Sequence, residues 1–324
     1  MAVYIGYHQR QISLVIYVFI IIALFGFHFL FVKHSNKLNP LKLAFIIAAI
    51  LMFSYPFLSH DFFNYLFDAK ILTYYGQNPY FFKPSDFPAD PWLRFMHWTH
   101  RTYPYGPVFL ILTLPFSYIA VGKLILNYIF FKLLFVFSYL CGVYFFSKLN
   151  RRWAVIFATH PLVIIEGLVN AHNDLIAVSL AIAGIYFLER KAGILSKIFM
   201  LLSGGIKYLT LPLLLLSKDN KWLNTVIFGG VMFAVFYVSL LGDIQPWYFL
   251  VVFAFLPYFE EFVHKLNIFM FGLLFSYFPF IRYGEWLKFA NFQLKNIIIL
   301  GFIGLTIIYL LGELFKKQIV LNKK

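Results

Sequence analysis

Residues 42–80, KLAFIIAAILMFSYPFLSHDFFNYLFDAKILTYYGQNPY, change character half way along. From Leu43 to Leu58 almost every side chain is apolar, and the run reads as a membrane helix over 42–58. From Ser59 onward His60, Asp61, Asn64 and Asp68 recur at helical spacing. At about 100° per residue, Asp61, Asn64, Tyr65 and Asp68 share one face of a helix over 59–72, and Phe62, Phe63, Leu66 and Phe67 share the other. The expectation is an amphipathic interfacial helix, its apolar face in lipid and its acidic face towards a cavity or water.

The rest of the chain supports a membrane setting. Of its 324 residues 62% are hydrophobic and only 12% charged, and the mean hydropathy is +0.80, which excludes an ordinary soluble domain. Further runs of spanning length lie at 13–32, 124–147, 222–241 and 296–312. Less regular ones lie at 107–121, 153–169, 174–188, 194–216, 247–258 and 266–280. No alternating strand pattern appears, so helices are the only form that satisfies the backbone in lipid. The expected fold is an all-α polytopic membrane protein, one transmembrane domain over 1–324 with about nine to eleven membrane helices. The first run lacks a small-residue cleavage site and reads as a retained helix.

The formal net charge of +14 would suggest nucleic acid in a soluble protein. Here Lys and Arg cluster at helix ends, as topology signals and contacts to anionic membrane lipids require, so no nucleic-acid partner is expected. The single cysteine, Cys141, lies inside an expected span and can form no intrachain disulfide.

Charge also assigns sides. Lys33, Lys37 and Lys42 mark the first loop as cytoplasmic, as do Lys148, Arg151 and Arg152, then Arg190, Lys191 and Lys197. Segment 59–106 then lies outside. For the polar island NAHND, 170–174, to lie there too, the short 107–121 run, which carries Pro107 and Pro115, must be interfacial or half-buried. The stretch around Gly204 and Gly205 reads as two half-helices forming a hairpin that lifts Lys207 towards the outer side. The placement of Arg282 and Lys316 depends on whether 247–258 crosses.

Asp61 sits at the membrane boundary, where desolvation raises a carboxylate towards the pKa of a useful general base. The plainer alternative, solvated charges flanking a span, stays open. The loop FFKPSDFPADPWLRFMHWTHRTYPYGP, 81–107, combines prolines with aromatic faces of the kind that stack on sugar rings, and Arg94, His97, His100 and Arg101 add positive charge. An aromatic belt is the alternative. A loop this long is usually functional. In NAHND, Asn173 or Asp174 can be a simple N-cap. With Asp61, the group His172, Asn173 and Asp174 also offers hard oxygen ligands to a divalent cation, without a spaced set that completes a site. Lys207, deep in an apolar run, calls for an anionic partner. His160, Glu166 and His264 read as structural, with Glu166 inside a span.

Together, SHDFFNY, GQNPY, DPWLRF, YPYGP, NAHND, GGIKYLTLPLLLL and IQPWY resemble, in order and spacing over about residues 55–256, the GT-C integral membrane glycosyltransferases. The likeness is to the polyprenyl-phosphate-mannose-dependent α-mannosyltransferases of the actinobacterial cell envelope and, more distantly, to the catalytic subunit of GPI mannosyltransferase I. The resemblance implies a GT-C bundle in which 59–106 is the extracytoplasmic catalytic loop. It implies transfer of a hexose, mannose by this likeness, from a polyprenyl-phosphate-linked donor to a glycan or glycolipid acceptor, with Asp61 as base. Many relatives carry two acidic residues where this chain has His60 and Asp61, which leaves the second carboxylate's role to Asp68 or Asp174 and makes a metal an open matter.

Physically, an acceptor hydroxyl attacking the anomeric carbon while Asp61 takes its proton inverts the centre, and Lys207, Arg101 and Arg94 are the cations for the departing phosphate. A retaining route would need a carboxylate nucleophile such as Asp68. The expected substrate-binding set adds Asn64, Tyr65, His100, Tyr103, Tyr105, His172, Asn173, Asp174, Gln245, Trp247 and Tyr248. Two other classes remain: a transporter or lipid flippase with Asp61, Asp174 and Lys207 on its path, and a non-catalytic subunit of a membrane complex. An accessory subunit is a further expected partner.

Overall fold

The computed structural model describes residues 2–241, 243–284 and 289–321, and the described residues contain helix and no strand. Five helical stretches are long and apolar enough to cross a membrane: Ser13–Lys33, Leu124–Leu149, Lys221–Ser239, Pro246–Lys265 and Phe289–Lys316. A sixth candidate is broken, Arg151–Thr159 and Val163–Val169 meeting at 65°. The protein is therefore an all-α polytopic membrane protein.

Helix α1 (Ala2–Lys33) leads through a tight turn into α2 (Pro40–Leu51). Asn39 caps α2 by accepting from the Leu41 and Lys42 amides, with Pro40 at the first helical position. The expected span over 42–58 is thus cut to its first half. Pro56 disfavours helix at Tyr55, and the Ser54 carbonyl accepts from the Tyr128 hydroxyl at 2.7 Å instead.

The chain then forms α3 (Asp61–Thr73), a long loop, α4 (Pro107–Ile119) and α5 (Leu124–Leu149). Helix α3 corrects the interfacial expectation. Phe62, Phe63, Leu66 and Phe67 are buried in protein, not turned to lipid. Phe62 packs edge-on against Tyr128, Phe131 and Phe135 of α5, and Thr73 bonds Ser117 of α4 at 2.8 Å. Helical periodicity marks an apolar face but does not tell lipid from protein as its neighbour. The 13-residue α4 is short for a full span.

Helix α6 (Arg151–Thr159) stops at His160, whose extended backbone precedes Pro161. A π-helical turn, Val163–Val169, follows, then α7 (Asp174–Glu189). The hairpin expected at 194–216 is present as α8 (Gly193–Gly204) and a 3-10 helix, Tyr208–Leu215. At its tip a Cβ on Gly106 would sit 2.0 Å from the Gly205 carbonyl oxygen, so two glycines allow the backbones of the first loop and the hairpin to touch, and the Val108 amide donates to Gly205.

Helix α9 (Lys221–Leu241) precedes a 3-10 segment, Pro246–Phe255, and α10 (Leu256–Lys265), α11 (Asn267–Phe275), α12 (Phe278–Tyr283) and α13 (Phe289–Leu321) complete the order. Basic residues gather at one end of the bundle. Arg151 donates to the Leu38 carbonyl, Arg152 pairs with Glu260 at 2.6 Å, and Lys218 donates to the Glu189 carbonyl at 2.8 Å. Asp174 and Lys207 lie at the opposite ends of α7 and of the Tyr208–Leu215 segment, which run to Glu189 and towards Lys218. The Pro246–Lys265 stretch runs from that polar end to Glu260.

Candidate active site

The polar end encloses a cavity of about 660 Å³. Its walls come from three regions distant in sequence: Ser59, His60 and Asp61 at the start of α3; Trp98, Arg101 and Tyr105 from the loop; Lys207 and Tyr208 from the hairpin tip. Asp243, Gln245, Trp247, Tyr248 and Phe292 close the remaining side.

Asp61 is held at the first position of α3, where the helix dipole favours a negative charge. Its amide donates to Ser59 Oγ at 3.2 Å and its Oδ1 accepts from the Trp98 indole at 2.9 Å. Arg101 Nη2 stands 3.7 Å from Oδ1, and His172 Nδ1 stands 3.8 Å from Oδ2. Burial raises this carboxyl above its ordinary value, against the opposing pull of Arg101, Lys207, the Trp98 hydrogen bond and His97. A desolvated carboxylate beside a cavity is a stronger base than one in water.

Lys207 finds the anionic partner its position demanded, Asp174 Oδ2 at 3.0 Å. Its Nζ also lies 5.6 Å from the ring centroids of Tyr105 and Tyr248. Arg101 lies over Trp98 at 5.0 Å and donates to the Tyr105 hydroxyl at 3.3 Å. One ion pair and two aromatic faces thus leave cationic N–H groups on the cavity wall.

The NAHND turn is set by its backbone. Ala171 adopts a left-handed conformation, φ 55°, a strained choice for a residue with a Cβ. The turn lets the His172 amide bond the Glu166 carbonyl at 2.9 Å. Lys132, in the middle of α5, donates to the terminal carbonyls of Leu168 and Val169 at 2.6 and 3.0 Å, satisfying a helix end that lipid could not. The His172 ring then stacks on Trp247, centroids 3.8 Å apart. Asn173 makes no capping bond, and Asp174 opens α7 with its carboxylate on Lys207.

Of the expected residues, Asp61, His60, Arg101, Tyr105, Lys207, Gln245, Trp247 and Tyr248 line the cavity, and His172 and Asp174 sit directly behind it. The others stand off the cavity wall. Asp68 lies two turns beyond Asp61, about 10 Å along the axis, buried and off the cavity wall. Burial pushes its carboxyl up to about 8, which favours the neutral form. Asn64 donates to the Trp98 carbonyl at 2.9 Å and positions that residue. Tyr65 packs edge-on to Tyr105 and Phe109, and Tyr103 donates to the Gly106 carbonyl at 3.3 Å. Arg94 lies over Phe95, and His100 lies against Trp98; neither reaches the wall. Asn173 is buried behind it.

The two carboxylates considered for a cation, Asp61 and Asp174, each already face a cation of the protein. Asp174 is taken by Lys207, and among the described residues no three His, Cys, Asp or Glu side chains converge on one point. Sequence reasoning also missed residues. Lys295 pairs with Asp243 at 2.6 Å and donates to Gln245 at 3.2 Å, fixing the wall beside Trp247. Lys132, in the apolar run around it, carried the signal that had identified Lys207; Lys295, between Gln293 and Asn296, did not.

Comparison with known families agrees with this geometry. Residues 3–217 match the MptA_B family, described as alpha-(1->6)-mannopyranosyltransferase, N-terminal domain. The match spans two thirds of the chain and includes Asp61, the loop to Gly106, the 170–174 turn and Lys207. The chain belongs to this mannosyltransferase family. No curated protein and no solved structure matches it.

Proposed function

We propose that this membrane mannosyltransferase takes its sugar from a polyprenyl-phosphate-linked donor and transfers it to a hydroxyl of a glycan or glycolipid acceptor on the extracytoplasmic face, with inversion. The observation that carries the reading is the desolvated Asp61 carboxylate on the cavity wall, with Arg101 and Lys207 on the same wall. The acceptor hydroxyl loses its proton to Asp61 as its oxygen bonds the anomeric carbon. The bond from that carbon to the phosphate oxygen breaks, and its electron pair leaves on the phosphate. Lys207 and Arg101 stabilise the charge that develops there, and the half-buried rings of Trp247 and Tyr248 on the cavity wall offer faces to the sugar. The basic residues at the far end of the bundle favour the cytoplasmic side for that end.

The test is transfer from radiolabelled polyprenyl-phosphate-mannose to a mannoside acceptor by purified protein in nanodiscs. Wild type is expected to form product and Asp61→Asn to lose about 10³-fold or more in kcat with an unchanged thermal midpoint. A silent wild type across a panel of lipid-linked sugars overturns the reading. Sidedness is read from Ser85→Cys, at an exposed loop position, which should react with an impermeant maleimide added outside intact cells.

A further inference from the structure

The proposed transfer uses Asp61, Arg101 and Lys207 and leaves the polar groups of the remaining wall, from Asp243 to Tyr248, without a chemical task. That segment is held at both ends. Lys295 of α13, its side chain only 1% accessible, pairs with Asp243 Oδ2 at 2.6 Å and donates to Gln245 Oε1 at 3.2 Å. Gln245 Nε2 donates to the same Asp243 oxygen at 3.0 Å. At the other end the buried His172 ring lies flat on Trp247, with centroids 3.8 Å and planes 16° apart. The carboxylate, the amide and the indole are therefore set before a ligand arrives, which lowers the ordering cost of binding.

What this network leaves over identifies the ligand chemistry. An ammonium only donates and a carboxylate only accepts, so the amide of Gln245 must turn its oxygen to Lys295 and its nitrogen to Asp243. Gln245 then keeps one N–H and one oxygen lone pair beyond those bonds. Asp243 Oδ1 is buried and has no hydrogen-bond partner among the described residues. An acceptor left so costs free energy that an entering donor restores. The terminal torsion of an aspartate is soft, so the carboxylate can turn to meet a donor in the cavity that it lines. An ionised phosphate supplies no such donor and is repelled by Asp243, whereas a sugar hydroxyl both donates and accepts. Asp243 and Gln245 thus match hydroxyls, the neighbouring indole offers a face to a pyranose ring, and the phosphate stays with Lys207 and Arg101.

Resting on the proposed transfer, we infer that Asp243 and Gln245, set by Lys295, bind hydroxyls of the donor's hexose and so select which sugar is transferred. Tyr248 assigns them to the donor rather than the acceptor. Lys207 Nζ stands 5.6 Å from its ring centroid, and in the donor the hexose is bonded directly to the phosphate that Lys207 meets. The ring beside that phosphate therefore meets the segment that ends at Tyr248. The family match over 3–217 contains Asp61, Arg101 and Lys207 and stops short of Asp243, Gln245 and Lys295. The base and the phosphate cations thus belong to the matched part of the chain, and the hydroxyl contacts to the part outside it.

The test compares polyprenyl-phosphate-mannose with its monodeoxy analogues as donors. In wild type, loss of a hydroxyl that Asp243 or Gln245 binds should lower kcat/KM about 10²-fold. Asp243→Asn should lower kcat/KM for the parent donor by a similar factor and discriminate little further against that analogue. Gln245→Leu leaves the Lys295 pair with Asp243 in place, serves if Asp243→Asn does not fold, and should show the same coupling at its own hydroxyl. A wild type that accepts every analogue within about twofold overturns the inference. So does discrimination that persists undiminished in both variants, the pattern of a merely structural role. Coupling of Asp243 to a deoxy acceptor instead of a deoxy donor overturns the assignment to the donor. An inactive wild type would overturn the transfer reading, while competition of the analogues with radiolabelled donor for binding to the protein in nanodiscs still decides the hydroxyl contact.

Discussion

Lys70 with Asp90 and Lys207 with Asp174 are both buried lysine–aspartate pairs, yet their surroundings divide them. Asp90 accepts from Lys70, from the Tyr75 hydroxyl at 2.7 Å and from the Trp92 amide at 2.8 Å, while Lys70 lies 3.9 Å from the Trp92 ring centroid. Both side chains are nearly inaccessible, at 7% and 1%. This closed pair pins the 74–106 loop to α3. Lys207 has one carboxylate and two aromatic faces, keeps 17% of its side chain accessible and opens onto the cavity. The open pair holds a cation ready for a guest. An ion pair's role is read from what completes its coordination, not from its members.

Changing each pair should therefore give different losses. Lys207→Met is expected to lower transfer about 10²- to 10³-fold, with a higher donor KM and a smaller effect on stability, measured by steady-state kinetics beside thermal unfolding. If the thermal midpoint collapses while kinetics of the surviving protein are normal, the open pair is structural. Asp90→Asn reverses the pattern. Stranding Lys70 should destabilise the protein by about 3–5 kcal/mol, read as a lower thermal midpoint, with little change in the KM of protein that remains folded.

Acid separates the two regions without mutation. Burial alone would raise Asp90, but its hydrogen bonds from Lys70, the Trp92 amide and Tyr75 outweigh that and hold it below its ordinary value. A carboxylate depressed by folding stabilises the fold above its unfolded pKa of about 4, and that contribution fades only as pH falls through the lower folded value. Asp61 is raised, so its protonation on acidification favours the folded state while removing the base. Between about pH 4 and the raised value of Asp61, transfer should be lost reversibly while tryptophan fluorescence shows the loop still docked. Loss of both signals together would break the distinction. The smallest effect belongs to Arg94→Ala, outside both pairs, which should change transfer by less than about twofold in the same assay.

Much of this was legible in advance. The helical class, the boundary carboxylate Asp61, the hairpin at Gly204 and Gly205 and the demand of Lys207 for an anion all follow from the cost of polar groups in hydrocarbon. Asp68 and Asn64 stand off the cavity wall because helical spacing assigns a face without saying what that face meets, and Arg94 does because the charge of a loop does not fix where a side chain lies. Asp68 shares the face of Asp61, but two turns carry it past the cavity. Lys132 carried the same signal as Lys207 and was passed over, whereas Lys295 lies among Asn291, Gln293 and Asn296 and carried none. The link from Glu166 to His172 depends on a π-helical turn and on Ala171 in a left-handed conformation, neither of which local propensity foretells.

The contact between Gly106 and Gly205 also bears on biogenesis. During synthesis the first loop emerges long before its partner, and ninety-odd residues separate the two glycines, roughly 5–20 s of translation. Until the hairpin inserts, Asp61 and Arg101 have no Lys207 opposite them, and what ties the loop to α3 is the Lys70–Asp90 pair with the bonds of Asn64 and Asp61 to Trp98. The closed pair thus lies wholly within the half of the site that is made first.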